Sequence, residues 1–283
     1  MKKNRAILLT FDYELFLGNK SGFVENCLIC PTNLLLKMFE KNSVSPALFF
    51  IDTVYIMKME ALAKDYRIVK EDLDKIRKQL INIVKQGHYI FHHIHPHWLD
   101  AKYMANDNQW DLSDTSKLTF DKISQAEQSE IMNYSDSFLK KIYSQAGSDK
   151  TPCGYRAGGL FVEPFSKIKP FFEKYNIKYD FSVIPGDKRN DNVSIHDYSN
   201  APANRLYKFD NILNQEESLG KFIEFPISTL NIRYLTKVLN GMYFRLYKNN
   251  KKLKSFGYGQ SVNSDIYSSS KNKTLKDYLS MRI

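Results

Sequence analysis

Five of the six histidines in this 283-residue chain lie within positions 88–97. Crowded imidazoles repel one another when protonated, and a bound cation with neutral histidine ligands relieves that repulsion. His93 and His97 share one side of a strand or a helix, since four positions are two strand repeats and about one helical turn. His95 shares that side only in an extended segment, and Pro96 biases it away from helix. The spacing predicts His93 and His97 as metal ligands and His95 as a neighbouring substrate-contacting residue.

The other two histidines of this cluster are predicted to be structural. His92 points away from His93 if the segment is a strand, because successive strand residues face opposite sides. His88 follows Gly87 at the start of that strand. The alternative interpretation of the whole cluster is a chance group of surface histidines.

Two carboxylates occur at the end of the apolar run Ala6–Phe11, at Asp12 and Glu14. Two neutral histidines need an anionic third ligand, which leaves a fourth position on the metal for water. Residues two apart at a strand end face the same way. One carboxylate can therefore bind the metal while the other accepts a proton from water, which is the chemistry of a metal-dependent hydrolase.

Five short motifs accompany these residues in a fixed order, and together they resemble the polysaccharide deacetylase family, the NodB-homology carbohydrate esterases. The branch that the chain looks most like is the one found with surface-polysaccharide biosynthesis, and the resemblance covers about Ala6 to Thr229. The motifs are Leu9-Thr-Phe-Asp-Tyr-Glu14, Ala47-Leu-Phe-Phe50, Gly87-His88 with His93-x-x-x-His97, Tyr155-Arg-Ala-Gly-Gly159 and Asp180-Phe-Ser-Val183.

The resemblance implies an enzyme that removes an N- or O-acetyl group from a carbohydrate or glycan precursor with one divalent metal ion, most simply zinc. It implies Asp12 as the catalytic base and Arg156 as the arginine that keeps this base ionised and oriented. Tyr13 stands where the family usually has a metal-binding aspartate, so the ligand role passes to Glu14. A guanidinium suits the role of Arg156, because it can form a bidentate pair with a carboxylate.

Four further residues are predicted to contact the substrate. Gly158 and Gly159 would let backbone N–H groups approach a tetrahedral oxyanion. Tyr155 belongs to the same motif, and Trp98 could stack on a sugar face.

The family's general acid is a late histidine, but no histidine follows His196 in this chain. His95 is the first substitute as a catalytic acid, and His196 is a weaker one. The missing histidine favours one alternative, a catalytically impaired family member that binds sugar and metal. A second alternative is a cyclic amide or imide hydrolase on the same fold.

Strand-like and helix-like segments alternate, which predicts a mainly parallel α/β fold, and the resemblance implies a distorted (β/α) barrel of about seven parallel strands in residues 1–230. Sites in such folds lie at the carboxyl ends of strands. The predicted strands are Ala6–Phe11, Ala47–Ile51, His88–Ile94, Cys153–Ala157, Tyr179–Ile184 and Phe222–Ile227, and the predicted helices are Pro31–Lys41, Val69–Gln86, Ser124–Gln145 and Glu163–Tyr175.

Positive charge is concentrated in a predicted C-terminal extension, residues 231–283, which has 11 Lys and Arg against 2 Asp and Glu, whereas the rest of the chain has 30 against 29. The favoured interpretation is a solvated, partly disordered basic tail, and the end of a truncated chain is another. The functional alternative is contact with an anionic membrane surface or with the nucleotide or lipid-linked phosphate of an N-acetylated sugar precursor. No nucleic-acid motif accompanies it, so nucleic acid is not an expected partner. The apolar run after Met1 is too short for a signal peptide, which predicts a cytoplasmic protein.

Overall fold

A computed structural model of the chain describes residues 6–15, 21–114, 116–190 and 195–230, together with the backbone of Lys273–Thr274. The strands are β1 Thr10–Tyr13, β2 Leu48–Asp52, β3 Tyr89–Ile94, β4 Lys102–Met104, β5 Gln109–Asp111, β6 Gly154–Ala157, β7 Tyr179–Asp180, β8 Lys188–Asn190, β9 Ile195–Asp197, β10 Tyr207–Phe209, β11 Phe222–Glu224, β12 Thr229–Leu230 and β13 Lys273–Thr274. The α-helices are α1 Cys30–Lys41, α2 Thr53–Leu62, α3 Arg67–Lys85, α4 Gln125–Gln145 and α5 Lys169–Tyr175.

Seven strands form the main sheet in the order β1-β2-β3-β6-β7-β11-β10. The first six are parallel, and β10 is antiparallel to β11. This confirms the predicted α/β class and a mainly parallel sheet of about seven strands. The sheet is open in the part of the chain that the structure describes, since β1 and β10 each have one neighbour there.

Both faces of the sheet are buried, as strand β2 illustrates. All five of its residues are buried. Phe49 and Ile51 belong to the large core, whereas Leu48 and Phe50 belong to a second, smaller aromatic core on the opposite face. Alternate strand residues face opposite sides, so an uninterrupted apolar run is what a strand covered on both sides requires.

The helices follow from their apolar period and their capping residues. In α3 the apolar residues at helical spacing are buried, and they are Val69, Leu73, Ile76, Leu80, Ile83 and Val84. Helix α4 begins at a capping box in which Ser124 and Glu127 exchange hydrogen bonds. Pro31 lies in the first turn of α1, where its missing N–H costs nothing.

The element predictions differ from the structure in several places. Strands β7 and β11 end at Asp180 and Glu224 rather than at Ile184 and Ile227, and the edge strand β10 was not predicted. The first strand begins at Thr10 rather than Ala6. The predicted helix Glu163–Tyr175 is split, because a short 3-10 turn at Phe165–Lys167 precedes an α-helix that starts only at Lys169. Helix α2 was not predicted at all.

The predicted C-terminal extension, residues 231–283, lies outside the described residues except for β13, whose backbone pairs with β12. In the described part of the chain, no helix is both long enough and apolar enough to span a membrane.

Candidate metal centre

The predicted site residues lie at the carboxyl ends of adjacent strands. Asp52 in β2 is the register partner of His93 in β3, which in turn is the partner of Arg156 in β6. Asp12 lies in β1, two residues before Glu14. These residues share the sheet face of the smaller aromatic core, and the Arg156 guanidinium stacks on one of its rings, that of Phe50, at 4.1 Å from the ring centre.

Glu14, His93 and His95 form the one group of described residues with three ligand atoms close enough to hold a metal ion, all within 4.8 Å of one another. The Nε2 atom of His93 lies 3.1 Å from Glu14 Oε2 and 3.1 Å from the Nε2 atom of His95. His95 also contacts Glu14 Oε2 through its Nε2. Two imidazole nitrogens and one carboxylate oxygen therefore converge on a single point.

A hydrogen bond fixes the orientation of His93. Its Nδ1 lies 2.8 Å from the backbone carbonyl oxygen of Arg156. A carbonyl oxygen can only accept, so Nδ1 carries a proton and Nε2 faces Glu14. Metal-binding histidines are commonly oriented by such a bond.

The position of His95 depends on Gly158, which follows β6. A Cβ atom on Gly158 would lie 2.3 Å from the carbonyl oxygen of Ile94 and 2.7 Å from Nδ1 of His95. Only glycine leaves room for the end of β6 to approach His95 this closely. Gly158 was predicted to let a backbone N–H approach an oxyanion. In the structure it also leaves room for the His95 ring. Gly159 has a φ of 62°, in the left-handed region that favours glycine.

Charges within the group oppose the effect of burial. Burial disfavours ionised Glu14, but His95 and His93 outweigh it and hold the pKa of Glu14 well below its usual range. Burial likewise disfavours protonated His95, but the Glu14 carboxylate prevails and raises the pKa of His95 to about 9. Without a cation, the proton on His95 compensates the charge of Glu14.

The proposed base and its arginine are paired as predicted. Arg156 Nη1 donates to Asp12 Oδ1 at 2.6 Å, Nη2 donates to the Thr10 hydroxyl at 2.9 Å, and Nε donates to the Phe181 carbonyl at 3.1 Å. Burial opposes ionisation of Asp12, but Arg156 and then His93 outweigh it and lower the pKa of Asp12. The Asp12 side chain is 26% exposed, so it is both ionised and accessible.

The prediction for His97 needs correction, because the structure places His95 rather than His97 in the group of ligand atoms. His95 has an extended backbone, with φ −116° and ψ 92°, so it continues the alternation of β3 and faces the same side as His93. The chain then turns into a 3-10 helix at Pro96–Leu99, which removes His97 from that side. The His97 ring remains 5.1 Å from the His95 ring, and burial followed by the charge of His95 lowers its pKa to about 3.

The prediction that Trp98 contacts substrate is also wrong for this structure. Trp98 is 1% exposed and packs against Tyr55 and Trp110. Its Nε1–H donates to Asp52 Oδ2 at 2.6 Å. The indole faces the core, because its polar edge has a carboxylate partner there.

Tyr155 is buried rather than available to a substrate. It is 0% exposed and packs edge-on against Phe172. It neighbours Arg156 in β6, so it faces the opposite side of the sheet.

The remaining histidines have structural partners. The Nδ1 atom of His88 accepts from the backbone N–H of Ala47, and His92 is hydrogen-bonded to the Ser135 hydroxyl of α4. Both were predicted to be structural. His196, the weaker candidate for a general acid, is 2.9 Å from an Asp187 carboxylate oxygen.

Asp52 is a site residue that the sequence analysis did not find. It lies in register with His93, and burial raises its pKa to about 6. It also caps α2, since its Oδ1 accepts from the backbone N–H of Tyr55. Its position directly after the apolar run Ala47–Ile51 is the same signal that singled out Asp12.

Two imidazoles and a carboxylate, with a proton where a cation could be, form a donor set that suits a divalent metal ion. The His97 ring lies next to the His95 ring, and its buried Nδ1 has no hydrogen-bond partner in the described part of the chain.

No protein-family model, curated protein or solved structure matches this chain.

Proposed function

We propose that this protein is a metal-dependent hydrolase that removes an acetyl group from a carbohydrate, with the ion held by Glu14, His93 and His95. One observation carries this proposal: an accessible carboxylate fixed by an arginine, Asp12, lies two residues from one ligand of a compact donor group. Catalytic hydrolysis by a bound metal needs this combination of an ion site and a nearby base.

Zinc is the proposed ion. Two histidine nitrogens and one carboxylate oxygen are a ligand set used by catalytic zinc sites, which keep a further position for water. When bound, such an ion makes water more acidic and polarises the acyl carbonyl.

Asp12 is the proposed proton acceptor for the attacking water. The bond from Arg156 keeps its carboxylate ionised and holds one oxygen, Oδ1, which leaves Oδ2 for the proton. A histidine that binds metal cannot also be the general acid, so His95 gives up that predicted role. We propose that Asp12 passes the proton on to the leaving amine or alcohol.

The proposed fold is a distorted (β/α) barrel. The first six strands of the main sheet are parallel and follow one another in chain order, as they do in barrels. The proposed substrate is an N-acetylated sugar of a nucleotide- or lipid-linked precursor. The basic residues of positions 231–283 would favour its phosphate groups.

Acetate release tests this proposal directly. Purified protein loaded with zinc would be incubated with an N-acetylated sugar nucleotide and with the free N-acetylated sugar. We expect acetate from the wild type, faster from the sugar nucleotide, and a loss of roughly a hundredfold or more in the Asp12→Asn variant. Zinc-loaded protein that releases no acetate from any such substrate would refute catalysis.

A binding protein without turnover is the second candidate. It is favoured by the absence of any histidine after His196, where the resembled family has its general acid. Sugar binding that persists in the Asp12→Asn variant, with no acetate released by the wild type, would select it.

A further inference from the structure

Two carboxyl groups lie side by side in the core, away from the candidate metal centre. Asp180 in β7 and Glu224 in β11 are register partners on adjacent strands, and both are 0% exposed. Two negative charges so close together and away from water cannot both persist without compensation. Neither carboxyl group forms an ion pair with any described residue.

The hydrogen bonds around this pair leave one acceptor without a donor. The Ser182 N–H donates to Asp180 Oδ2 at 2.9 Å and the Ser182 hydroxyl donates to Oδ1 at 3.0 Å. The Val183 N–H donates to Glu224 Oε1 at 3.2 Å. Glu224 Oε2 is buried and has no donor within the described ranges. A proton on Glu224 that is donated to Asp180 supplies the missing hydrogen bond.

Few other charged groups among the described residues act on the pair. The cation that acts on both carboxyl groups is Arg156, which already forms an ion pair with Asp12. Burial raises the pKa of Asp180, and burial together with Asp180 raises the pKa of Glu224 well above its usual range. The other titratable groups that face the pair are Glu163 and the hydroxyls of Tyr155, Tyr198 and Tyr207.

The pair holds the backbone that supports Arg156. Its carboxyl oxygens bind the N–H groups of Ser182 and Val183. The preceding carbonyl, that of Phe181, accepts from Arg156 Nε, and the Ser182 hydroxyl accepts from the N–H of Ala157. Hydrogen bonds therefore connect the two carboxyl groups to Arg156 through residues 181–183.

We propose that Asp180 and Glu224 hold one proton between them and, as a singly charged pair, position Arg156 through the backbone of residues 181–183. Loss of that proton places two negative charges in the core, and their repulsion weakens the hydrogen bonds that hold residues 181–183. The hydrogen bond from Arg156 Nε to the Phe181 carbonyl is then held less firmly. Any effect on catalysis rests on the proposed function, whereas the shared proton and its influence on Arg156 do not.

The sign of the pH effect follows from the raised pKa values. A group that binds its proton more tightly in the folded state stabilises the fold fully below its unfolded pKa, and this stabilisation is lost as pH rises through its folded pKa. The contribution of the pair to the free energy of unfolding should therefore fall as pH rises from the usual carboxyl range through the raised pKa of Glu224. Glu224→Gln replaces the acid by an amide that donates to Asp180 without titrating, so it should abolish this particular loss.

Infrared spectroscopy and NMR of the metal-free full chain test the proposal. At neutral pH we expect the carbonyl band of a protonated carboxyl group in the wild type, its loss in Glu224→Gln, and its retention in the exposed control Glu216→Gln. The NMR resonance of Arg156 Nε–H should shift as the wild type is titrated to alkaline pH and should stay in place in Glu224→Gln. Asp180→Asn, in which the amide donates to Glu224 in place of the shared proton and Glu224 carries the single charge, should likewise abolish both signals if Glu224→Gln fails to fold.

Each outcome decides the matter. A neutral-pH spectrum without the acid band, or a band whose intensity neither substitution lowers, overturns the shared proton. A band that behaves as expected beside an Arg156 resonance that never follows the titration overturns the positioning role. Neither measurement requires metal or substrate, so failure here is distinguishable from failure of the proposed hydrolase.

Discussion

The Nδ1 atom of His93 lies 2.8 Å from the backbone carbonyl oxygen of Arg156. The same residue that fixes Asp12 through its guanidinium thus orients a candidate metal ligand through its main chain. Because β3 and β6 are adjacent parallel strands, the ligand group and the base are held by one piece of sheet.

Metal content should distinguish the two possible histidine pairs. We expect His93→Ala and His95→Ala to lose zinc, because each removes a converging nitrogen, and His97→Ala to retain it. The loss should exceed the roughly 10–100-fold fall in affinity that follows removal of an outer hydrogen-bond partner. Equilibrium dialysis would measure it, with His196→Ala as the control. Loss in His97→Ala with retention in His95→Ala would restore the pair predicted from sequence.

Zinc affinity should rise with pH up to about 9, the pKa of His95 in the metal-free protein. Below that pH His95 carries a proton, and a histidine must lose it before it can bind metal. Affinity should therefore change by about tenfold per pH unit for the one proton released. Calorimetry in buffers of different ionisation enthalpy would count that proton. An uptake of protons, or none exchanged at neutral pH, would contradict the predicted state of His95.

Arg156→Lys should reduce activity while leaving zinc content unchanged. Lysine keeps the charge but loses the planar group that reaches Asp12, Thr10 and Phe181 together. The matched control is Arg205→Lys on the surface, where the ion pair with Glu216 is exposed to solvent and lies outside the site. Acetate release and metal content would be measured for both. Equal rates of acetate release in the two variants would show that activity does not need the planar guanidinium of Arg156.

Gly158→Ala should displace His95 and weaken zinc binding, because the new methyl group would overlap Ile94 and the imidazole. Gly147→Ala is the control: its φ is 71°, but no atom lies within 4 Å of an added Cβ. The control should therefore cost about 1–2 kcal/mol of folding stability through backbone strain alone. Thermal unfolding and dialysis would separate the two effects. Full zinc affinity in Gly158→Ala would show that His95 does not need this space.

Trp98→Phe should lower stability by about 1–3 kcal/mol, because it leaves the buried Oδ2 of Asp52 without its donor. Trp110→Phe is the comparison, since it removes a similar ring without touching Asp52. Denaturant unfolding and the KM of the sugar reaction would be measured for both. A raised KM in Trp98→Phe with unchanged stability would reinstate contact between this indole and the substrate.

The sequence predicted what depends on neighbours along the chain. Apolar runs that end in Asp12 and His93 indicated strands with a site at their carboxyl ends, and the structure brings these ends together. The choice between His95 and His97 depended on where β3 stops. That point is set by a 3-10 turn, and the pattern around Pro96 left it open.

Other features depend on contacts between residues that are far apart in sequence, which the spacing of motifs does not predict. Trp98 was predicted to contact substrate because its partner, Asp52, lies at the end of β2, far from it in sequence. The pairing of Asp180 with Glu224 exists only because β7 and β11 are neighbours in the sheet, and their long separation along the chain gives no hint of it.

Asp12 in β1 and Glu14, the first residue after this strand, lie at one margin of the sheet, where the only described neighbour of β1 is β2. The imidazoles, by contrast, project from the sheet's interior. A deletion of residues 10–14 would take away both carboxylates of the proposed chemistry, Asp12 and Glu14, but only one buried residue of the large core, Tyr13. The proposed chemistry therefore depends on a short edge segment that contributes little to the core.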